Sequence, residues 1–208
     1  LQNKFYIPHR NKEGYGPSKL GFDKLIGENC KLIFTVDCGT LSFDIIDYAS
    51  TKQTDVIILD HHQSEMNLPK AHAIVNPNRL DQSSNLNHLC AAGVTFMFLI
   101  ALNAELKKNK FYEKNNLIEP NLLDYLDLVA LGTICDVVSL TGINRAIVKQ
   151  GLKIINKRKN LGLKTMLDLC KPISDITVRD VGYTIGPRIN AGGRIGKSYD
   201  GAELLLSE

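Results

Sequence analysis

The first half of the chain alternates short apolar runs with helically spaced ones. Lys31–Val36 and Asp55–Leu59 are continuous apolar runs of strand length, the pattern of parallel strands buried on both faces. Between them, Phe43, Ile45, Ile46 and Ala49 fall at helical spacing within Leu41–Lys52. Strand, helix and strand at this spacing predict a βαβ unit with a right-handed crossover. A third strand is expected at Ala73–Val75, ended by the turn chemistry of Asn76-Pro77-Asn78-Arg79. Lys4–Pro8 is also strand-like. The fold class is therefore α/β, a mainly parallel sheet with flanking helices.

The second half changes to helical periodicity throughout. Cys90–Leu106 predicts a buried helix, followed by a polar loop over Lys107–Asn116. Asn121 is placed to cap a long helix running through Leu123, Leu126, Val129 and Ile134. Further helices are expected at Arg145–Asn156, Leu163–Cys170 and Thr177–Ile185, and 201–208 reads as a helix interrupted in mid-course. The pattern suggests an α/β unit over residues 1–140 and a helical segment over 141–208 that leads toward a further domain. Both termini read as the ends of a fragment.

Composition narrows the class. The 208 residues are 44% hydrophobic and 23% charged, which describes a globular chain with a substantial core. A net charge of +3 demands no polyanionic partner and excludes none. The longest apolar run, Cys90–Leu102, is broken by Gly93 and Thr95, so no transmembrane helix is expected. No secretory signal is visible, and five cysteines without a CxxC pair suggest buried thiols in a reducing cytoplasm. The basic stretch Lys153–Lys159 is most simply a solvated helix end.

Candidate chemistry sits at the strand ends. In an open parallel sheet, ligands bind beyond the carboxyl edge. Asp37 closes the first strand and Asp60, followed by His61 and His62, closes the second, so one βαβ unit should bring them together. Asp136 interrupts an apolar stretch that would bury its charge uncompensated. A divalent cation would compensate, and carboxylates plus imidazole suit Mn²⁺ better than Mg²⁺. The plainer alternative is that Asp37 and Asp60 only cap the turns that follow. His9, His72 and His88 have no comparable context. Gly186–Gly196 and the fainter Arg10…Glu13-Gly14-Tyr15-Gly16 combine glycines with arginines, as a phosphate-cradling loop would, though bland loop geometry explains them equally well.

Five stretches then occur in a telling order: Val36-Asp37-Cys38-Gly39, Asp60-His61-His62, Val75–Arg79, Gly132–Val138 and Pro187–Arg194. Together with Ile7–Arg10 and Glu13–Gly16 they resemble the DHH phosphoesterase superfamily over essentially the whole chain, and most closely its exonuclease branch. The resemblance implies a two-metal phosphodiesterase, dependent on Mn²⁺ or Mg²⁺, that hydrolyses single-stranded DNA from the 5′ end in repair and recombination. It implies Asp37, His61 and Asp136 as metal ligands, Asp60 as the group orienting His61, and His62 as the group facing the scissile phosphate. Arg188, Asn190, Arg194 and Arg10 would lie near substrate phosphates. The same resemblance implies a cytoplasmic monomer acting on single-stranded DNA, with repair or recombination proteins as candidate partners.

The family's first Asp-x-Asp motif and its DHHA1-type domain do not occur in these residues, which leaves the activity of the 208 residues by themselves open. Cys135 stands where a small residue such as Ala is more usual. Two other classes compete with the exonuclease: a DHH phosphodiesterase or pyrophosphatase acting on short oligonucleotides or cyclic dinucleotides, and a non-catalytic DNA-binding relative. The stretches Ile7–Gly16 and Pro187–Gly196 disfavour the former. Retention of Asp37, His61, His62 and Asp136 disfavours the latter.

Overall fold

The computed structural model describes residues 3–170 and 174–207. Helices α1 (Arg10–Glu13) and α2 (Lys19–Gly27) precede β1 (Leu32–Val36); α3 (Phe43–Thr51) then leads to β2 (Asp55–Leu59) and β3 (Ala73–Val75). The sheet has the order β1-β2-β3 and both pairings are parallel, with Val36 opposite Leu59 and Leu59 opposite Val75. This register aligns the carboxyl ends of all three strands.

The sheet buries one face against α2 and α3 through Phe22, Ile33, Ile46, Ala49, Val56 and Ile58. Each large side chain among them contributes on the order of 2 kcal/mol by leaving water. Two expectations need correction here. β1 is not buried on both faces: α2 and α3 cover the face that carries Ile33, while Leu32, Phe34 and Val36 on the opposite face are exposed. Residues Lys4–Pro8 form no strand; Phe5 and Tyr6 instead pack their rings against Tyr199, and Ser198 Oγ donates to the Ile7 carbonyl.

Beyond β3 the described residues are helical: α4 (Ala91–Lys108), α5 (Phe111–Lys114), a 3₁₀ turn (Leu122–Tyr125), α6 (Leu126–Cys135), α7 (Gly142–Asn156), α8 (Leu161–Cys170), α9 (Val178–Asp180), a π-helical turn (Val181–Ile185), α10 (Gly186–Arg194) and α11 (Asp200–Leu206). The polar segment Lys107–Asn116 thus contains one short helix, and only the first half of α4 is buried, since Leu99, Ile100 and Leu102 face outward. Asn121 caps the 3₁₀ turn and not the long helix itself; its Oδ1 accepts from Leu123 N at 3.3 Å. Thr177 and Asp180 form a reciprocal capping box at α9.

Helices α6 and α7 pack closely because Gly151 has no side chain. A Cβ there would stand 2.3 Å from both Ala130 Cβ and the Leu126 carbonyl oxygen. Around this contact, Ala130, Ile134, Val148, Ile155, Leu163, Leu167, Val181 and Ile185 form the largest core cluster. Asn156 at the far end of α7 ties the helix to the loop before α9, accepting from Ile176 N at 2.8 Å and donating to the Ile176 carbonyl.

Most of the glycine-rich stretch 186–196 is a helix, α10, not a loop, with only its last two residues beyond the helix end. Pro187 sits in the first turn, where its missing N–H costs nothing. Gly192 lets α11 approach, since a Cβ would meet the Lys197 carbonyl at 2.8 Å and Asp200 Cβ at 3.1 Å. Only Gly196 takes a positive φ, 85°, and it stands just past the helix end, the usual terminating position. No helix among the described residues is long and apolar enough to cross a membrane.

Candidate metal centre

The aligned strand ends deliver Asp37 and Asp60 to one edge. Asp37 N donates to Leu59 O at 2.9 Å and Asp60 N to Val75 O at 3.1 Å, so each acid prolongs the parallel ladder by one bond. The two then diverge in environment. Asp37 adopts a left-handed backbone, φ 63°, and its side chain is half exposed. Asp60 is 1% exposed and fully engaged. Its Oδ2 accepts from Thr40 N at 3.1 Å; its Oδ1 accepts from His61 N at 2.8 Å and His62 N at 3.3 Å, and meets His62 Nδ1 at 2.7 Å. Burial pushes the Asp60 carboxyl up, but these donors, Thr40 first, outweigh it and hold the group below its ordinary range.

Gly39 makes this hub possible. Its φ is 112°, and a Cβ there would stand 2.5 Å from Thr35 Oγ1, so only glycine lets the turn bring Thr40 N over Asp60. On the other side, Asn76 donates to Thr40 Oγ1 at 2.9 Å and to the His62 carbonyl at 2.8 Å, while its Oδ1 accepts from Asn78 N. Asn78 in turn donates to the His61 carbonyl at 2.5 Å. The Asn-Pro-Asn turn therefore clamps the His61–His62 segment. The dense amide chemistry of that turn was a signal in the sequence, but its target was not.

His61 is the point of convergence. Its Nδ1 lies 3.1 Å from the Leu89 carbonyl, which can only accept, so Nδ1 carries a proton and Nε2 faces the site. Nε2 is 3.2 Å from Asp37 Oδ1 and 3.5 Å from Asp136 Oδ2. A ring nitrogen of His62 joins Asp37 and His61 within 4.8 Å of one another. The His61 pKa is raised, first by the contact with Asp37 and then by the charge of Asp136, against the opposing effect of burial.

Asp136 is not embedded in its apolar stretch; it caps the C-terminal end of α6 with a side chain 37% exposed. That position is unfavourable for an anion, because the helix presents unpaired carbonyls and the negative end of its dipole. Burial, with the charge of Asp37, pushes the Asp136 carboxyl above its ordinary range. Two carboxylates, a helix C-terminus and one imidazole leave an excess of negative potential centred on His61 Nε2. This donor set fits a divalent cation of borderline hardness.

Two further residues line the centre. The Tyr15 hydroxyl donates to the Asp37 carbonyl, and its ring stands edge-on to His62 with centroids 5.8 Å apart. Burial and then the surrounding carboxylates push its pKa upward, so the phenol stays neutral. Gly14 and Gly16 flank it at φ 82° and 95°, the conformations that turn Tyr15 toward the site. Burial, with Asp60 and Asp37, pushes the Cys38 thiol up to about 12, which keeps it protonated.

The candidate phosphate contacts stand on α10 and at the start of α1. Arg188, Asn190 and Arg194 are exposed on α10. At about 100° per residue, Asn190 and Arg194 share one face of the helix and Arg188 takes the opposite side. Its Nη1 donates to the Thr184 carbonyl at 2.6 Å. The start of α10 abuts the centre: a Cβ on Gly186 would meet Cys135 Sγ at 2.4 Å, which gives Cys135 a close packing role beside Asp136. Arg10 opens α1, and the neighbouring His9 ring lies against Gly196, so the Arg10 segment and the end of α10 are adjacent.

A family model, the N-terminal domain of the DHH family, matches residues 2–133. The chain belongs to the DHH family. This DHH chain is 37% identical over 205 residues to the single-stranded-DNA-specific exonuclease RecJ of Dickeya dadantii, covering 98% of the chain and 36% of that protein. RecJ of Bacillus subtilis is 36% identical over 208 residues, covering 100% of the chain and 25% of that protein. The chain therefore spans about a third or less of the curated relatives it matches. Its fold superposes on a crystal structure of exonuclease RecJ bound to manganese with TM-score 0.79 at 34% identity, covering 97% of the chain and 48% of the other. Thermus thermophilus RecJ in complex with Mn²⁺ gives TM-score 0.70 at 32% identity, covering 89% and 26%. A mainly parallel sheet with flanking helices is thus the DHH fold of RecJ.

Proposed function

We propose that this chain is the DHH part of a RecJ-type, metal-dependent exonuclease that hydrolyses single-stranded DNA from the 5′ end in repair and recombination. The observation that carries this reading is the convergence of Asp37 Oδ1 and Asp136 Oδ2 on His61 Nε2, with the Asp60-held His62 beside them. Asp37, His61 and Asp136 would hold Mn²⁺ or Mg²⁺; three such ligands on a six-coordinate ion leave positions for water and a phosphate oxygen. Bound there, a divalent cation supplies a water of lowered pKa and a Lewis-acid contact to the phosphoryl group, most powerfully as one of a pair.

The protein's own residues do the rest. The Leu89 carbonyl holds His61 in the tautomer whose Nε2 lone pair faces the ion. Asp60 fixes the His62 ring through Nδ1, leaving the other ring nitrogen to hold or pass a proton at the scissile phosphate. Arg10, Asn190 and Arg194 would serve as phosphate contacts, and Arg188 would become one on releasing the Thr184 carbonyl. Tyr15 offers an aromatic edge beside His62. Single-stranded DNA is the partner, the protein acts as a cytoplasmic monomer, and repair or recombination proteins are its candidate associates.

Two measurements test this. Calorimetric titration with Mn²⁺ should show binding that is lost in His61→Ala. The nuclease containing this chain should, with Mn²⁺, release nucleotides progressively from the 5′ end of a long single strand and spare duplex. Faster hydrolysis of a dinucleotide than of the long strand would replace the exonuclease with a short-substrate phosphodiesterase.

A further inference from the structure

We infer that Asn144, which touches neither the centre nor its ligands, is a positioning residue for it: its side-chain amide locks the segment that orients His61 to the segment that carries Asp136. The inference rests on the reading of Asp37, His61 and Asp136 as metal ligands.

Asn144 lies in the first turn of α7 and is 0% exposed. Its Nδ2 donates twice, to the His88 carbonyl at 2.7 Å and to the Ser139 carbonyl at 3.0 Å. The next carbonyl after His88 is that of Leu89, which receives His61 Nδ1. Ser139 lies three residues beyond Asp136. One amide therefore ties together two chain segments, at His88 and Ser139, that each carry or hold one member of the candidate centre.

The two segments have another link on the far side. Cys90 Sγ lies 3.4 Å from Thr133 Oγ1 on α6, and Thr133 is fully buried. The segment 88–90 is thus held at both ends against α6 and the loop that follows it. Leu89 is 1% exposed, so its carbonyl has no freedom to follow a wandering His61 ring.

The chemistry of the residue favours this role over plain packing. Asn144 Oδ1 is buried without a hydrogen-bond partner among the described residues. Leaving a buried carbonyl unpaired is unfavourable, and an apolar side chain at this position would not incur that cost. What the amide supplies in return is two N–H donors aimed at two carbonyls. Groups that orient metal ligands typically change affinity 10–100-fold when removed. Asn144 acts one bond farther out, and a loss of roughly tenfold is expected.

Asn156 provides the control. It is an amide staple of the same kind at the opposite end of α7, bonded to Ile176, and it has no bond to the centre. Mn²⁺ affinity by calorimetry, thermal stability, and the ring nitrogen signals of His61 by long-range ¹⁵N–¹H correlation would be compared in wild type, Asn144→Leu, Asn156→Leu and His61→Ala. The inference predicts that both leucine variants lose stability, while only Asn144→Leu loses about tenfold in Mn²⁺ affinity and shifts or broadens the His61 signals. Should Asn144→Leu fail to fold, Asn144→Ser, which keeps one donor, is expected to show a smaller loss in the same direction. Unchanged affinity and unchanged His61 signals in a folded Asn144 variant would overturn the inference, as would equal losses in the two leucine variants. Binding that survives His61→Ala would instead remove the metal reading, and this inference with it.

Discussion

Asp60 Oδ1 stands 2.7 Å from His62 Nδ1, and this pairing assigns the two neighbouring imidazoles to different holders. The resemblance implied that Asp60 orients His61. The structure gives the ring of His61 to the Leu89 carbonyl and the ring of His62 to Asp60, while His61 receives from Asp60 only a bond to its backbone N–H. The partners differ in kind: a carboxylate holds the His62 ring through Nδ1, whereas a carbonyl, which can only accept, holds the Nδ1–H of His61 and leaves Nε2 to the site.

Asp60→Asn should therefore separate binding from turnover. The substituted amide keeps the shape but gives His62 Nδ1 a weaker, neutral partner, so the ring is held less firmly and hydrolysis is expected to fall 10–100-fold while Mn²⁺ affinity changes little. A parallel loss of Mn²⁺ affinity would mean that Asp60 acts through His61 after all.

Asp136→Asn should have opposite effects with and without metal. In the metal-free protein the Asp136 carboxylate is destabilised by burial, by Asp37 and by the end of α6, so neutralising it is expected to raise the melting temperature by roughly 1–3 °C. Solvent screening of this partly exposed group keeps the gain small. With Mn²⁺ in excess the wild type should melt higher, since an ion that binds only the folded state stabilises it. A variant that melts below wild type in chelator would remove charge repulsion from the account.

Val137 follows Asp136 with φ 59°, a conformation that a β-branched side chain resists, and it is 87% exposed. Replacing it with Asn, which tolerates that region, should add about 1 kcal/mol of stability by urea unfolding. A lower midpoint would show that contacts of the Val137 side chain outweigh the backbone strain.

Glu13 closes the turn that presents Tyr15. It accepts from the hydroxyls of Tyr6 and Ser18 and from His9 N at 2.8 Å. Burial pushes its carboxyl up, but the Ser18, His9 and Tyr6 donors prevail and hold it below its ordinary value. A depressed carboxyl stabilises the fold above its unfolded pKa, and that contribution is lost as pH falls through the folded value. The melting-temperature gap between wild type and Glu13→Gln should accordingly shrink as pH falls below the ordinary glutamate value of 4.5. A gap that stays constant would make the clamp independent of charge.

Some of this protein is determined by local sequence. The βαβ unit follows from apolar runs whose length and spacing admit few packings, and a parallel pair necessarily brings Asp37 and Asp60 to one edge. Helix positions in the second half were legible from apolar periodicity to within a few residues, with the split of Thr177–Ile185 into α9 and a π-helical turn as an exception. What tertiary structure decided are relationships that no spacing encodes. Residues 186–194 became a helix in which Gly186 and Gly192 serve close approach to Cys135 and α11, with positive φ left to Gly196 past its end, and that choice depends on what packs against it. Exposure of one face of β1 depends on which helices pack over the sheet. The holder of His61 is a backbone carbonyl, which every residue carries, so nothing in the sequence singles out Leu89. Asn144 is equally silent: its donors matter only because folding brings His88 and Ser139 within reach of one amide.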